Sequence, residues 1–114
     1  MNFTRYEEAP RYYPPEHEGM ACLRLQGHEA GPSSALWLGL SHLLPGGGTS
    51  LSGSELEKMY VVLEGEVTIG TGTGECVLRR LDSVRLAPGE QRQLSNRSNR
   101  PATILLAMPY PTGT

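Results

Sequence analysis

Short apolar runs separated by turn-forming residues extend along the chain from residue 21 to residue 108. Each run is rich in Val, Ile, Leu or Thr and is bounded by Gly, Pro, Asn or Asp-Ser. No window carries the i, i+3, i+4, i+7 apolar stripe of an amphipathic helix. The pattern predicts short strands and an all-β fold, a sandwich or barrel of antiparallel sheets. The runs are ACLRLQ (21–26), ALWLGLSHLL (35–44), KMYVVLE (58–64), EVTIG (66–70), ECVLRR (75–80), SVRLA (83–87), QRQLSN (91–96) and ATILLAM (102–108).

Residues 1–19 differ from the rest of the chain because they are rich in proline and tyrosine. Proline resists helix and is excluded from central strands, so we interpret this segment as an N-terminal arm laid over the body. Its tyrosines would pack on a barrel face, on a partner subunit or across a pocket mouth. The expected organisation is an arm at 1–19, one β-barrel domain at 20–110 and a C-terminal tail at 111–114.

The totals exclude several classes of partner. A chain of 114 residues fits a single domain. Its formal charge of -2 provides no basic field for nucleic acid or for an anionic membrane surface. No apolar run reaches the roughly 18 residues of a membrane span, and the first residues lack the pattern of a signal peptide. We therefore expect a cytoplasmic protein with neither nucleic acid nor membrane as a partner.

Two glycine-rich segments resemble phosphate loops but lack their context. GTGTG (70–74) has strand-like residues on both sides, whereas a phosphate loop lies between a strand and a helix. PGGG (45–48) is not followed by Gly-Lys-Ser/Thr. We predict a hairpin turn at 70–74. The segment SNRSNR (95–100) is predicted to be a solvated loop, because Asn and Ser favour turns.

Two spaced segments carry a family resemblance. In LPGGGTSLSGSELEKMYVVLEGE (44–66), Gly46 and Gly65 bracket a polar loop and a β-rich run, and in APGEQRQLSN (87–96) a turn precedes a strand. Both segments resemble the signature motifs of the cupins, which are small β-barrels. In cupins the first motif carries two histidines and a glutamate or glutamine between its glycines, and the second carries a further histidine. The second segment matches its motif at Gly89 and Asn96.

The resemblance implies a single-domain cupin-type double-stranded β-helix, or jelly-roll, barrel, but the residues at the metal-ligand places differ. Ser52 and Ser54 stand at the places of the histidine pair, Lys58 at the place of the acidic ligand, and Arg92 at the place of the last histidine. Divalent first-row metals need imidazole and carboxylate ligands. Arginine has no acceptor atom at all. We therefore expect no metal and no cofactor.

The register of the strand that begins near Lys58 decides which side chains enter the barrel. Counting back from Gly65 places Lys58 inside with Tyr60 and Val62, and Glu57 outside. A bulge would exchange Lys58 and Glu57, because a shift of one residue moves a side chain to the other face.

Lys58 and Arg92 are the main candidate ligand-binding residues, with Tyr60, Ser52 and Ser54 beside them. Two cations at the family's site would form a receptor for a small anion. Alternatively, each side chain reaches solvent or pairs with a carboxylate, and the barrel is inert.

Two residues are candidate catalytic groups. Lys58, with a pKa lowered by the neighbouring cation, would transfer a proton while Arg92 holds an anion. His42 would act as a general acid or base if it faces the cavity, or else it is a packed or interface residue. His17 is interpreted as a loop residue without a chemical role. Asn96 is expected to hold its own loop by hydrogen bonds.

Three functions remain open from the sequence. The first is a metal-independent cupin that binds a small carboxylate-type molecule. The second is a metal-independent isomerase, epimerase or lyase that uses Lys58 and Arg92. The third is a structural dimerisation module without a ligand. A homodimer is expected in each case, because Met59, Val61 and Leu63 face outward and cupins often pair through outer sheet faces.

Overall fold

The computed structural model describes residues 1–111, so residues 112–114 of the predicted C-terminal tail lie outside the described residues. Ten strands and two short 3-10 helices make up the described chain. The helices are Tyr6–Glu8 and His28–Ala30. The strands are β1 (Arg11–Tyr12), β2 (His17–Gln26), β3 (Leu36–Thr49), β4 (Ser52–Gly53), β5 (Lys58–Glu64), β6 (Val67–Gly70), β7 (Glu75–Leu78), β8 (Ser83–Leu86), β9 (Gln91–Ser95) and β10 (Ala102–Pro109).

All of the strand pairs are antiparallel and together form a nearly closed barrel. The main path of hydrogen-bonded neighbours runs in the order β7-β6-β9-β3-β10-β5-β8. Three strands lie off this path: β2 pairs with β3, β1 pairs with β2, and β4 pairs with β9. The all-β jelly-roll prediction is confirmed, and each of the eight apolar runs contains a strand. Within the described part of the chain, no helix has the length and apolar character needed to cross a membrane.

β3 is longer than its apolar run predicts. The strand continues through Pro45 and three glycines to Thr49, and Gly48 pairs with Ser95 of β9. The glycines permit this path because a side chain on Gly48 would collide with the carbonyl of Leu94. β3 thus connects the part of the sheet that contains β10 with the part that contains β9.

The N-terminal arm lies along the barrel of its own chain. Arg11 and Tyr12 form the edge strand β1 and pair with Leu23 and Cys22 of β2. β2 itself begins at His17, within the segment predicted to be the arm. Proline at positions 14 and 15 falls between the two strands, where no ladder hydrogen bond is required.

The core fills the interior of the barrel. Alternation along the strands supplies it, as in β5, where Lys58, Tyr60 and Val62 are buried. The buried cluster comprises Leu43, Tyr60, Val62, Val67, Ile69, Leu78, Leu86, Leu94, Ala102 and Ile104. The polar atoms of the site described below are therefore held against a packed apolar wall.

Turns form where the sequence predicts them. GTGTG joins β6 to β7 as a hairpin, and the amide of Thr71 donates to the carbonyl of Gly74 at 2.9 Å. Gly65, at the end of the first motif, has a positive φ of 74°. A Cβ atom added to it would lie 2.8 Å from the carbonyl oxygen of Pro101. A larger residue at position 65 would be both strained and crowded.

The outward face of β5 carries the apolar residues on which the dimer prediction rests. Met59 is exposed, and Val61 and Leu63 are partly exposed. The homodimer stays a prediction, as does the cytoplasmic location.

Asn96 holds the loop between β9 and β10, as the sequence predicted. Its side chain is 1% exposed. Nδ2 donates to the carbonyls of Leu43 (3.1 Å) and Arg100 (2.7 Å). Oδ1 accepts from the amide and the hydroxyl of Ser98 at 3.0 and 2.7 Å. The one side chain therefore ties the loop to β3.

Replacing Asn96 by Ala should destabilise the fold. The variant leaves buried polar groups without their partner, which typically costs about 1 to 3 kcal/mol in the free energy of unfolding. Chemical denaturation of Asn96→Ala against Asn99→Ala measures the difference, because Asn99 is exposed in the same loop. Equal stability of the two variants would show that the loop is held in another way.

Candidate functional site

A cavity of about 410 Å³ lies between the N-terminal arm and the interior of the barrel. The arm contributes Tyr12, Tyr13, Pro14 and Pro15 to its wall, and β2 contributes His17 and Arg24. The barrel strands contribute Lys58, Tyr60 and Arg92 together with apolar side chains such as Leu94 and Ile104. The volume falls in the range of small-molecule sites, which is roughly 300 to 1,000 Å³.

Strand alternation points both candidate cations into this cavity. Lys58 is 8% exposed and lies on the same face of β5 as Tyr60, while Arg92 is 7% exposed and shares a face of β9 with Leu94. The predicted register of Lys58 is confirmed. Glu57 lies on the outer face, where its carboxylate pairs with Arg85 of β8.

Arg92 is held by neutral oxygen atoms. Its Nε donates to the hydroxyl of Tyr60 at 3.2 Å. Its Nη1 donates to Oγ of Ser52 at 3.0 Å, to Oγ1 of Thr49 at 3.3 Å and to the carbonyl of Ser50 at 3.5 Å. Among the described residues, Nη2 donates to no protein group. The guanidinium is thus positioned by the protein on one side and keeps donors free on the other.

Lys58 has a lowered pKa. Burial is the main cause, the positive charge of Arg92 adds to it, and together they reduce the pKa from its usual 10.5 to about 8. No carboxylate of the described residues forms an ion pair with Lys58 or with Arg92. The alternative in which these cations pair with a carboxylate is wrong. Of the nearby acidic residues, Glu57 pairs with Arg85 and Glu90 accepts from the amide of Ala87.

The third cation of the cavity wall, Arg24, has partners of its own. Its Nε lies 3.2 Å from a carboxylate oxygen of Glu29. Its guanidinium carbon lies 3.6 Å from the ring centre of Tyr12 and 4.4 Å from that of Trp37. These cation–π contacts fix the arm strand against β2 and β3. Arg24 therefore belongs to the closure of the cavity, whereas Lys58 and Arg92 supply its unneutralised charge.

Aromatic side chains complete the wall. Burial raises the pKa of Tyr12 to about 12 and also raises that of Tyr60, so both phenols are neutral at neutral pH. Tyr12 and Trp37 meet edge to face with ring centres 5.9 Å apart. The cavity therefore combines positive charge with flat apolar surface.

Other predicted site residues lie outside the cavity wall. Ser52 accepts from Arg92, so it positions the guanidinium. The hydroxyl of Ser54 accepts from the amide of Leu56 at 3.1 Å and caps a turn.

His42 is a correction to the sequence-based expectation. It lies on the face of β3 opposite to the buried Ser41 and Leu43. Its ring contacts the hydroxyls of Tyr6 (2.7 Å) and Thr103 (2.9 Å). The hypothesis that His42 faces the cavity is wrong. The alternative, a packed or interface residue, fits its contacts with Tyr6 and Thr103.

His17 was not recognised from the sequence. The sequence predicts a loop at His17, but His17 begins β2, pairs with Thr49 and lines the cavity. The β2–β3 register shifts between Glu18 and Met20, so a count of alternate residues along β2 assigns the wrong face to His17. The proline-rich segment before it was the only local signal that a loop folds back at this point.

The cavity does not offer the ligands of a divalent metal. Ser52 and Thr49 already accept from Arg92, and a guanidinium and an ammonium have no lone pair to give. The described residues contain no group of three His, Cys, Asp or Glu side chains that could hold a metal ion. The described side chains of this cavity therefore do not match the imidazole and carboxylate ligands that the cupin resemblance implies for a metal.

Comparison with known proteins gives both a relative and structural neighbours. A scan against protein-family models matched none. The chain is 43% identical over 111 residues to Beta-D-galactosidase Rv1717 of Mycobacterium tuberculosis. The alignment covers 97% of this chain and 96% of that protein.

Solved structures of cupins superpose on most of the chain. A sugar phosphate isomerase from a cupin superfamily of Silicibacter pomeroyi has a TM-score of 0.79 at 25% identity, over 94% of this chain and 74% of that one. The polyketide cyclase RemF from Streptomyces resistomycificus has a TM-score of 0.85 at 16% identity, over 96% and 79%. With the barrel and both motif segments in place, the chain is a small cupin and belongs to the same family as the Mycobacterium tuberculosis protein.

Proposed function

We propose that the protein binds a small organic anion in the barrel cavity, through Arg92 and Lys58 and without a metal. The observation that carries the proposal is the burial of two cations that have no carboxylate partner among the described residues. Buried charges are usually paired, because leaving water is costly for an ion. A bound anion would supply the missing partner.

The hydrogen bonds of Arg92 define how it would hold the anion. Nη1 is already engaged by three oxygen atoms, so a grip through both terminal nitrogens is not free. In the structure Nη2 and the ammonium of Lys58 are the donors left for the ligand. An anion that bridges them would gain charge-assisted hydrogen bonds from both sides.

The rest of the wall favours an organic anion over an inorganic one. Tyr60, Leu94 and Ile104 present buried apolar surface beside the two cations. A cavity of about 410 Å³ is larger than an isolated carboxylate group requires. A ligand-free dimerisation module would not need two unpaired buried cations, so this observation argues against the third hypothesis.

Removing either cation should weaken the binding of small carboxylates. Calorimetry with a panel of mono- and dicarboxylates should show a loss of about 1.5 to 3 kcal/mol for Arg92→Gln and for Lys58→Gln, the usual range for a hydrogen bond to a charged group. Arg85→Gln, on the outer face, is the matched control. Affinity should also fall as the pH rises above about 8, because Lys58 then loses its charge.

Protein stability separates lost binding from lost folding. The pKa of Lys58 is lowered from 10.5 to about 8 on folding, so without a ligand its charge destabilises the folded state below about pH 8. Lys58→Met should therefore raise the thermal unfolding midpoint of the ligand-free protein. The same variant removes the ammonium that would contact the bound anion. Unchanged carboxylate affinity in both cation variants would place the ligand elsewhere.

Metal independence has its own test. Protein dialysed against a chelator should bind the same carboxylates with the same affinity, because no described group in the cavity is arranged to hold a metal. Elemental analysis gives the independent check. About one retained iron, zinc, nickel or manganese ion per chain would contradict this part of the proposal.

A second candidate function is catalysis on a sugar-like substrate. It is favoured by the name of the 43% identical relative, a β-D-galactosidase, and by a cavity lysine with a pKa of about 8. Glycosidases ordinarily use a pair of carboxylates on either side of the scissile bond. No described Asp or Glu lines this cavity. Lys58 is then the best placed proton donor, whether for hydrolysis or for the isomerase, epimerase or lyase chemistry that the sequence also allows.

Turnover of a nitrophenyl β-D-galactopyranoside tests this second function. We expect any galactosidase activity to fall about a hundredfold or more in Lys58→Gln, the usual contribution of a general acid, and to be unaffected in Arg85→Gln. Hydrolysis that survives in Lys58→Gln and in Arg92→Gln would originate outside this cavity.

A further inference from the structure

His17 brings a proton acceptor to a cavity whose other polar groups are mostly donors. It pairs with Thr49, and Oγ1 of Thr49 accepts from Nη1 of Arg92 at 3.3 Å. The backbone of His17 therefore lies directly across from Thr49, which is one of the residues that hold the guanidinium of Arg92. His17 lines the same cavity as Lys58 and Arg92.

The arm determines which ring nitrogen of His17 is available. Nδ1 lies 2.7 Å from the carbonyl oxygen of Pro15. A carbonyl only accepts hydrogen bonds, so Nδ1 carries the hydrogen, and Nε2 of the neutral ring keeps a lone pair. No described group donates to Nε2. The tautomer is thus set by the backbone of the arm.

The surroundings keep the ring neutral. Burial lowers the pKa of His17 below its usual 6.5, and the charges of Arg92 and Lys58 lower it further, against the opposing effect of the bond to Pro15. The titratable and charged groups around the ring are Lys58 and Tyr60 of β5, Arg92 of β9, Arg24 of β2, Tyr12 and Tyr13 of the arm, and the sequence neighbours Glu16 and Glu18. Glu16 is engaged by the hydroxyl of Ser50 at 2.6 Å.

We propose that Nε2 of His17 accepts a hydrogen bond from a hydroxyl group of the bound anion, so that the cavity selects hydroxy acids, such as sugar acids, over plain carboxylates. This inference rests on the proposed anion site at Arg92 and Lys58. Two donors would hold the acidic group, and one acceptor beside them would recognise the hydroxyl. His17 is half-buried, so an acceptor left without a partner there is partly desolvated and disfavours the analogue that lacks the hydroxyl.

Matched acids measure this selectivity. Calorimetry compares lactate with propionate and gluconate with hexanoate, and the members of each pair differ in hydroxyl groups. We expect the hydroxylated member to bind about tenfold more tightly at pH 7.5, the contribution of about one hydrogen bond. His17→Leu should remove that preference and leave the affinity for propionate unchanged. His42→Gln, on the outer face, is the control.

The pH dependence distinguishes an acceptor from a merely structural residue. As the pH falls through the lowered pKa of His17, Nε2 becomes a charged donor that attracts the carboxylate of either acid, so affinity for the plain acid should increase and the preference for the hydroxylated acid should decrease. His17→Gln keeps an acceptor oxygen that does not titrate. That variant should keep the preference and lose its pH dependence.

The outcomes separate this inference from the proposed function. If none of the four acids binds, or if Arg92→Gln leaves their binding unchanged, the anion site itself is wrong. If the acids bind but neither pair shows a preference, or if the preference survives in His17→Leu, the role of His17 is overturned and the anion site stands.

Discussion

The anchoring of Arg92 by neutral oxygen atoms is the interaction on which the rest of the site depends. Tyr60, Thr49 and Ser52 fix the guanidinium from three different strands, β5, β3 and β4. Thr49 is itself bonded to the amide of Leu94, so the network is continuous with the β9 backbone. The barrel thereby presents a positive charge that no group of residues 1–111 neutralises. The lowered pKa of Lys58 is a consequence of this charge and of burial.

Under the proposed function, such an arrangement would trade stability for the capacity to bind. Two cations in one partly desolvated cavity repel each other, and the ligand-free fold carries that cost. The apolar cluster around Val62 and Ile104 and the loop network of Asn96 offset it. The tight neutral anchoring of Arg92 also limits its freedom to turn toward other partners. The proposed ligand would meet donors that are already positioned, which reduces the entropic cost of binding.

The arm covers part of the barrel mouth and forms one wall of the cavity. Arg24 joins Tyr12 of the arm to Trp37 of β3 through its guanidinium, and Glu29 balances its charge. The same arm carries the Pro15 carbonyl that orients His17. One wall of the cavity and the orientation of His17 therefore depend on one segment, and truncation of the arm would alter both. The aromatic residues of the arm have a role in the cavity that packing on an outer face would not provide.

The sequence by itself determined the all-β class, the eight main strands, the hairpin at 70–74 and the inward face of Lys58, because these depend on local propensity and on the two-residue period of a strand. The role of Asn96 was also local, since most of its partners lie in its own loop.

Only the tertiary structure decided the composition of the cavity. The register shift in β2 turned His17 inward, and β3 continued beyond its apolar run through Gly46, Gly47 and Gly48. His42 proved to lie outside, and Ser54 proved to cap a turn. The partners of Arg92 come from strands far apart in the chain. The arrangement of the strands also leaves Lys58 without a carboxylate partner among the described residues. Such features depend on which strands meet, and no local pattern records that.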